Sequence, residues 1–264
     1  MLKAIDIHAH YGNPDCFPQK GVEKECLRLS LEALKQAYDR QNIVAACLSP
    51  MEGIFPADEN MLLTANSLTL QLSQELDWFY QWVVVDPLIP SSYKQAEEML
   101  KSRKCVGVKI HPDAHGYPIE KYGEEIFAFC AQYNAVLETH SGELMSLPEH
   151  FVPLADKYPQ VTVIAAHLGC GFDGSVEHQV NAVRTARHGN LYTDVSSARS
   201  ILPNLLEWGA GQITAGKILF GTDTPIHHVA MMKQRVECAD LEPEEIEAIL
   251  YRNANQILNG VFEA

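Results

Sequence analysis

The chain has 264 residues, 47% of them hydrophobic, and sets 34 acidic against 20 basic side chains for a formal net charge of −14. That balance excludes a basic footprint for a nucleic-acid backbone or an anionic membrane surface. The length suits one α/β domain over residues 1–264, because barrels of alternating strands and helices use about 250 residues as a single unit.

The first residues lack the basic region, apolar run and small-residue cleavage site of a secretory leader, and no apolar stretch approaches the roughly 18 residues that span a bilayer. The seven cysteines are scattered and form no Cys-x-x-Cys pair, as reduced thiols in a cytoplasm would be. Cys170 reads as packing, not as a nucleophile.

Taken in chain order, eight short β-rich runs appear: KAIDIHAH, IVAACLSP, FYQWVVVDP, CVGVKIHP, AVLETHSG, VTVIAAHLG, LYTDVSS and KILFGTDTP. Between them lie segments of helical period, including Glu23 to Arg40, Glu59 to Leu76, Tyr93 to Ser102 and Glu120 to Tyr133. In the last of these Ile126, Phe129, Cys130 and Tyr133 share one face. Strands apolar on both faces and alternating with helices predict a parallel sheet closed into a (β/α)8 TIM barrel. An open doubly wound sheet fits less well, since neither G-x-G-x-x-G nor a Walker A sequence is present.

Each strand begins apolar and ends polar. His8 and His10, Ser49, Asp86, Lys109 and His111, Thr139 and His140, His167, Asp194 and Ser196, then Thr222 and Asp223 occupy these ends. In a parallel barrel all such ends converge on one rim, where the fold places its chemistry. A lone histidine after a strand is more often a hydrogen-bonded loop residue than a ligand. Unrelated loop histidines, however, would fall at both rims. His8 and His10, two apart on one strand, share a face and form a pair able to grip one ion. The loops YGNPDCFPQKG and MEGIFPADE, on the same rim, are the expected substrate-shaping lids. Trp78, Trp82 and Trp208 read as packing residues.

DIHAH, THSG, AAHLG and FGTDTP, with the closing YRNANQIL, resemble the metal-dependent amidohydrolase superfamily, and best its amidohydrolase-2 branch, which holds aminocarboxymuconate-semialdehyde decarboxylase, aromatic-acid decarboxylases and lactone hydrolases. The resemblance implies that His8, His10, His140 and Asp223 hold a divalent metal, with His167 beside it as an acid/base or polarising group. Three imidazoles and a carboxylate suit Zn²⁺, while Mn²⁺, Fe²⁺ or Ni²⁺ fit the same ligand types.

The first expectation is a hydrolase that cleaves an amide, lactone or similar bond of a small molecule with a metal-activated water, Asp223 taking the water's proton and His167 polarising the carbonyl. The alternative is a lyase that decarboxylates an aromatic or unsaturated acid on the same residues. A barrel that binds without turnover is disfavoured, since ligands, base and open loops are all present. Lys109, His111 and Arg199 are the expected substrate contacts, Arg199 as a carboxylate clamp. In a second reading Lys109 is carbamylated and bridges two metals. The expected partner is a small-molecule substrate, and the resemblance allows a homodimer.

Overall fold

The computed structural model describes residues 1–263. Eight strands, β1 (Ala4–Tyr11), β2 (Ile43–Pro50), β3 (Phe79–Val84), β4 (Cys105–Ile110), β5 (Val136–Thr139), β6 (Val163–Ala165), β7 (Leu191–Asp194) and β8 (Ile218–Leu219), lie side by side in sequence order. Every neighbouring pair is parallel. The sheet closes on itself where the Ile7 amide donates to the Phe220 carbonyl at 2.9 Å and Ala9 bridges to Thr224. Each strand is followed by a main helix: α1 (Leu31–Arg40), α2 (Glu59–Glu75), α3 (Pro90–Met99), α4 (Ile119–Tyr133), α5 (Pro148–Lys157), α6 (His178–Thr185), α7 (Leu205–Ile213) and α8 (Val229–Glu237). The expected TIM barrel is therefore the fold.

Two apolar layers hold it. The larger packs strands against helices, with Leu48, Val83, Ile110, Leu137, Phe127 and Leu206 among its buried members. The smaller fills the barrel around Ile5, Cys47, Trp82, Ile164 and Leu219 and is stoppered by Ala254 of the helix Asn253–Ile257 and by Leu258, which caps it. Trp82 is fully buried there because its indole N–H finds a partner, the Ile7 carbonyl at 2.7 Å. This plug turns the barrel interior into a floor, so polar side chains at the strand ends open to one side only.

Local chemistry explains where the expected boundaries shift. The predicted helix from Glu23 to Arg40 is broken into a short turn, Val22–Cys26, and α1. Ser30 sits between them in extended conformation and accepts from the Ala33 amide, which starts a new helix. α3 begins earlier than expected because Pro90 supplies its first turn. The strands end earlier too: His167 and Asp223 adopt φ of 73° and 55°, left-handed values that leave the ladder and turn both side chains toward the barrel mouth. Among the described residues no helix is long and apolar enough to cross a membrane.

Candidate metal centre and active-site cavity

At the C-terminal ends of the strands lies a cavity of about 260 Å³. His8, His10, Lys109, His111, His140, His167 and Asp223 all line it. Arg199, expected as a carboxylate clamp, does not: it is exposed on the short turn Ala198–Ile201.

β1 positions the first two histidines. Its register slips between Asp6 and Ala9, a β-bulge, but the alternation from His8 to His10 survives it. The two rings meet edge to face with centroids 5.2 Å apart. Gly221 makes room for them, since a side chain there would meet the His8 Cβ at 2.9 Å. The Asp223 Oδ1 then lies 3.1 Å from His10 Nε2 and 3.6 Å from His8 Nε2. One nitrogen from each histidine and one carboxylate oxygen fall within 4.8 Å of one another, a spacing that a single ion can bridge. Burial alone would raise the Asp223 pKa, but the His10 hydrogen bond and the neighbouring His167, His8 and His10 imidazoles hold it well below the carboxylate range. It is an anion at any physiological pH.

The outer nitrogens are fixed by partners. His8 Nδ1 lies 2.9 Å from Glu138 Oε1 and 3.0 Å from Asp194 Oδ2, so Nδ1 carries the proton and donates. Burial works against the charged ring, yet Glu138 and Asp194 raise the His8 pKa to about 10. Such carboxylate support makes an imidazole a stronger metal ligand at its other nitrogen. His10 Nδ1 is 2.8 Å from the Ser49 hydroxyl.

His140 shows the same logic at one remove. His167 Nδ1 lies 2.9 Å from the Ser196 carbonyl, an acceptor only, so that nitrogen must bear a hydrogen. Burial pushes the His167 pKa well below its ordinary value, so the ring is neutral and its Nε2 accepts. Among the described residues, the hydrogen that reaches Nε2 is the one on His140 Nδ1, 3.0 Å away. His140 therefore presents a bare Nε2, and that buried atom has no hydrogen-bond partner among the described residues. An orphaned imidazole lone pair is what a metal ligand looks like before its metal. His140 is not part of the compact His8, His10, Asp223 set but shares its cavity.

Two buried acids escaped the sequence reading. Glu138 is fully buried, opposite Lys109 in the β4–β5 register, and accepts from the Lys109 ammonium at 3.1 Å. Lys109 Nζ is also 3.1 Å from His8 Nε2. Lys109 is thus pinned to the floor by an ion pair. The signal in sequence was a glutamate inside the apolar run AVLETH, which an all-apolar barrel core would not tolerate unpaired. Asp194, noted only as a strand-end residue, accepts from the His167 amide at 3.0 Å, the Ser196 amide at 2.9 Å, the Ser196 hydroxyl and His8 Nδ1. His111 stacks on His140, with centroids 4.0 Å apart and planes 8° apart. Its Nδ1 accepts from the Ala114 amide, and burial holds its pKa well below the usual value, so Nε2 keeps the hydrogen.

The two expected lids do border the cavity. Phe17 and Gln19 come from the loop after β1, Met51, Ile54 and Phe55 from the segment after β2, and Ile226 from beyond Asp223. Phe17 and Phe55 stand 5.7 Å apart, ring centre to ring centre. The cavity is therefore two-faced, with nitrogen and oxygen donors on one side and an apolar wall on the other.

A family model described as Amidohydrolase matches residues 5–260. No curated protein matches the chain. Among solved structures it is similar to 2,6-dihydroxybenzoate decarboxylase from Rhizobium, with a TM-score of 0.78 and 12% identity over 98% of this chain and 99% of that one. It is also similar to dihydroxybenzoic acid decarboxylase from Polaromonas sp. JS666 with bound manganese and the inhibitor 2-nitroresorcinol (TM-score 0.77, 15% identity, 98% and 97% covered). A third is 5-carboxyvanillate decarboxylase from Sphingomonas paucimobilis (TM-score 0.75, 13% identity, 98% and 99% covered). At these identities the likeness is one of fold.

Proposed function

Because the chain belongs to the amidohydrolase family, we propose that it is a metal-dependent lyase that removes carbon dioxide from a small aromatic or unsaturated carboxylic acid. The observation that carries this reading is the two-faced cavity: a donor set for an ion that anchors a carboxylate, opposite a wall of Phe17, Phe55, Met51 and Ile54 against which a flat ring packs. The decarboxylases of the same fold support it over amide or lactone hydrolysis, which the same donors would also serve.

His8, His10 and Asp223 would hold the ion, with His140 Nε2 completing the set from β5. Charge fits as well. Asp223 is an anion, and Glu138 and Asp194 stand against the outer nitrogen of His8, so the surroundings of the donor set favour a bound cation. Zinc and manganese both suit imidazole and carboxylate ligands. Bound there, the ion supplies a Lewis acid that anchors the substrate carboxylate.

The side chains do the rest. Lys109, paired with Glu138, serves as a fixed countercharge, not as a bridging carbamate. His111 offers its Nε2 hydrogen to a substrate oxygen. Asp223 takes the proton of a substrate hydroxyl and passes it to the ring carbon that bears the carboxyl group, and the phenolate left behind regains a proton from solvent. The electrons of the carbon–carbon bond stay on that carbon, the proton joins it and carbon dioxide leaves. With both ring nitrogens engaged by Ser196 and His140, His167 acts by holding its neighbour and not by moving protons. The reaction takes place in the cytoplasm, where the seven free cysteines stay reduced.

The test is turnover of a panel of carboxyl-labelled hydroxybenzoates by the metal-loaded protein. Labelled carbon dioxide in equal amount to product is expected. Turnover of amides or lactones with water oxygen in the product, and no carbon dioxide from any acid, refutes the lyase reading.

A further inference from the structure

The apolar wall of the cavity has a support of its own, whose role in binding rests on the aromatic-acid reading of the site. Met51 and Ile54 of that wall bound the short helix Met51–Ile54, and Phe55 follows it. A helix of one turn leaves most of its carbonyls without intrahelical donors. The Met51 carbonyl accepts from the Phe55 amide at 2.9 Å, but the Gly53 carbonyl accepts from outside the turn, from His115 Nε2 at 3.0 Å. His115 ends the short helix Pro112–His115, which His111 caps, and its amide donates to the His111 carbonyl at 3.0 Å. The His111 ring stands against Phe55, with centroids 5.8 Å apart. One turn of chain after β4 thus touches the wall twice, through the His111 ring and through the His115 hydrogen bond.

The partners of His115 fix its tautomer. The Gly53 carbonyl only accepts, so Nε2 carries the hydrogen. The side chain is 0% exposed, and burial keeps its pKa below the usual value, so the ring is neutral and Nδ1 is bare. That atom has no hydrogen-bond partner among the described residues, and Asp86 Oδ2, another acceptor, stands 3.9 Å from it. A buried ring with one nitrogen unsatisfied is a poor packing residue, since an apolar side chain would fill the space without an orphan. What the imidazole adds is one hydrogen, and Gly53 receives it. Gly53 is confined from its other side as well: a side chain there would meet Pro50 Cγ and Val84 Cγ2, both at 3.1 Å, so the turn lies tight against β3. Glu52 carries the hold onward, its Oε1 accepting at 2.9 Å from the Asn13 amide in the loop that brings Phe17 to the cavity.

From this chain of contacts we infer that His115 is a positioning residue: by holding the Gly53 carbonyl it sets the place of Ile54 and Phe55, and with it the affinity of the site for a flat ring. His115 itself does not line the cavity and touches no substrate.

Two probes separate the wall from the floor. Acetate reaches only the ion, whereas benzoate also lays a ring against the wall. Their affinities are read from the visible absorption of the cobalt-loaded full chain, for wild type, H115M and H115Q. The wild type is expected to bind benzoate at least about tenfold more tightly than acetate. In H115M, which cannot donate, that ratio is expected to fall to about threefold or less with acetate affinity unchanged, while H115Q, whose amide nitrogen replaces Nε2 as donor, keeps it. Hydrogen exchange at the Phe55 amide is expected to quicken at least about tenfold in H115M and to stay slow in H115Q. A wild-type ratio near one, an unchanged ratio in H115M, an equal loss for both acids, or no rescue by H115Q overturns the inference. None of these readouts involves turnover. The expected ratios without carbon dioxide release from any acid would sink the lyase reading alone, whereas carbon dioxide release with an unchanged ratio in H115M would sink only the role of His115.

Discussion

His140 Nδ1 lies 3.0 Å from His167 Nε2, and this one contact decides which nitrogen of His140 faces the cavity. The Ser196 carbonyl fixes the His167 tautomer, and His167 in turn fixes that of His140. His167→Ala removes the fixing partner and leaves every proposed ligand in place. Metal affinity is expected to fall about 10- to 100-fold, as when an outer partner of a ligating histidine is lost. Metal titration followed by chelator competition reads it, and unchanged affinity would show that His140 needs no such support.

Asp194 accepts hydrogen bonds from two amides, a hydroxyl and His8 Nδ1 while fully buried. Burial opposes its ionisation, but the charge and hydrogen bond of His8 hold its pKa well below the usual range. In Asp194→Asn the side-chain amide nitrogen must turn toward at least one N–H donor. A stability loss of about 3 kcal/mol is expected, together with weaker metal binding. Chemical denaturation of the metal-free protein isolates the first effect, and a loss below about 1 kcal/mol contradicts the role given to Asp194.

The loop that carries Glu143 depends on Gly142, whose φ is 102° and where an added Cβ would sit 2.5 Å from the Cys170 carbonyl oxygen. Gly142→Ala must distort the loop. A stability cost of about 1–3 kcal/mol is expected, with kcat/KM reduced at fixed metal content. A variant as stable and as active as the wild type would mean that the loop is not held as described.

Far from the cavity, Lys233 is fully buried and donates to Glu237 Oε1 at 2.6 Å, an oxygen that also accepts from the Leu2 amide at 2.8 Å. Burial raises the Glu237 pKa, but the Lys233 hydrogen bond outweighs it and brings the carboxyl below its ordinary 4.5. A carboxylate depressed in the folded state contributes stability that is complete above its unfolded pKa and is lost as pH falls through the folded one. Glu237→Gln, which strands a buried ammonium, is expected to cost about 3 kcal/mol at pH 7. The gap between wild type and variant then narrows below about pH 4.5. Denaturation at both pH values checks it, and a gap that widens on acidification contradicts the pairing.

Much of this was legible in the sequence for a physical reason. Strands buried on both faces need long apolar runs, so a polar residue at a run's end stands out, and the histidines and Asp223 did so. Glu138 was hidden because its partner, Lys109, lies on the neighbouring strand, and pairing across a sheet leaves no trace along one strand. The break before α1 was missed because helical periodicity runs through Leu27 and Leu29, while the cap at Ser30 decides the backbone. Arg199 follows a strand as the cavity-lining residues do, yet it is exposed on the turn at Ser197–Ser200. Strand position tells which rim a residue reaches but not where the loop beyond it points.

Elemental analysis of the protein, purified without added metal or chelator, tests the central claim most directly. With three imidazoles and Asp223 as the proposed ligands, the account predicts one divalent ion per chain, lost in His8→Ala and Asp223→Ala while the barrel still folds. A value near two would contradict this account, since a second ion requires Lys109 to exchange its pairing with Glu138 for a bridging carbamate, and a value near zero that metal addition does not raise would contradict it outright.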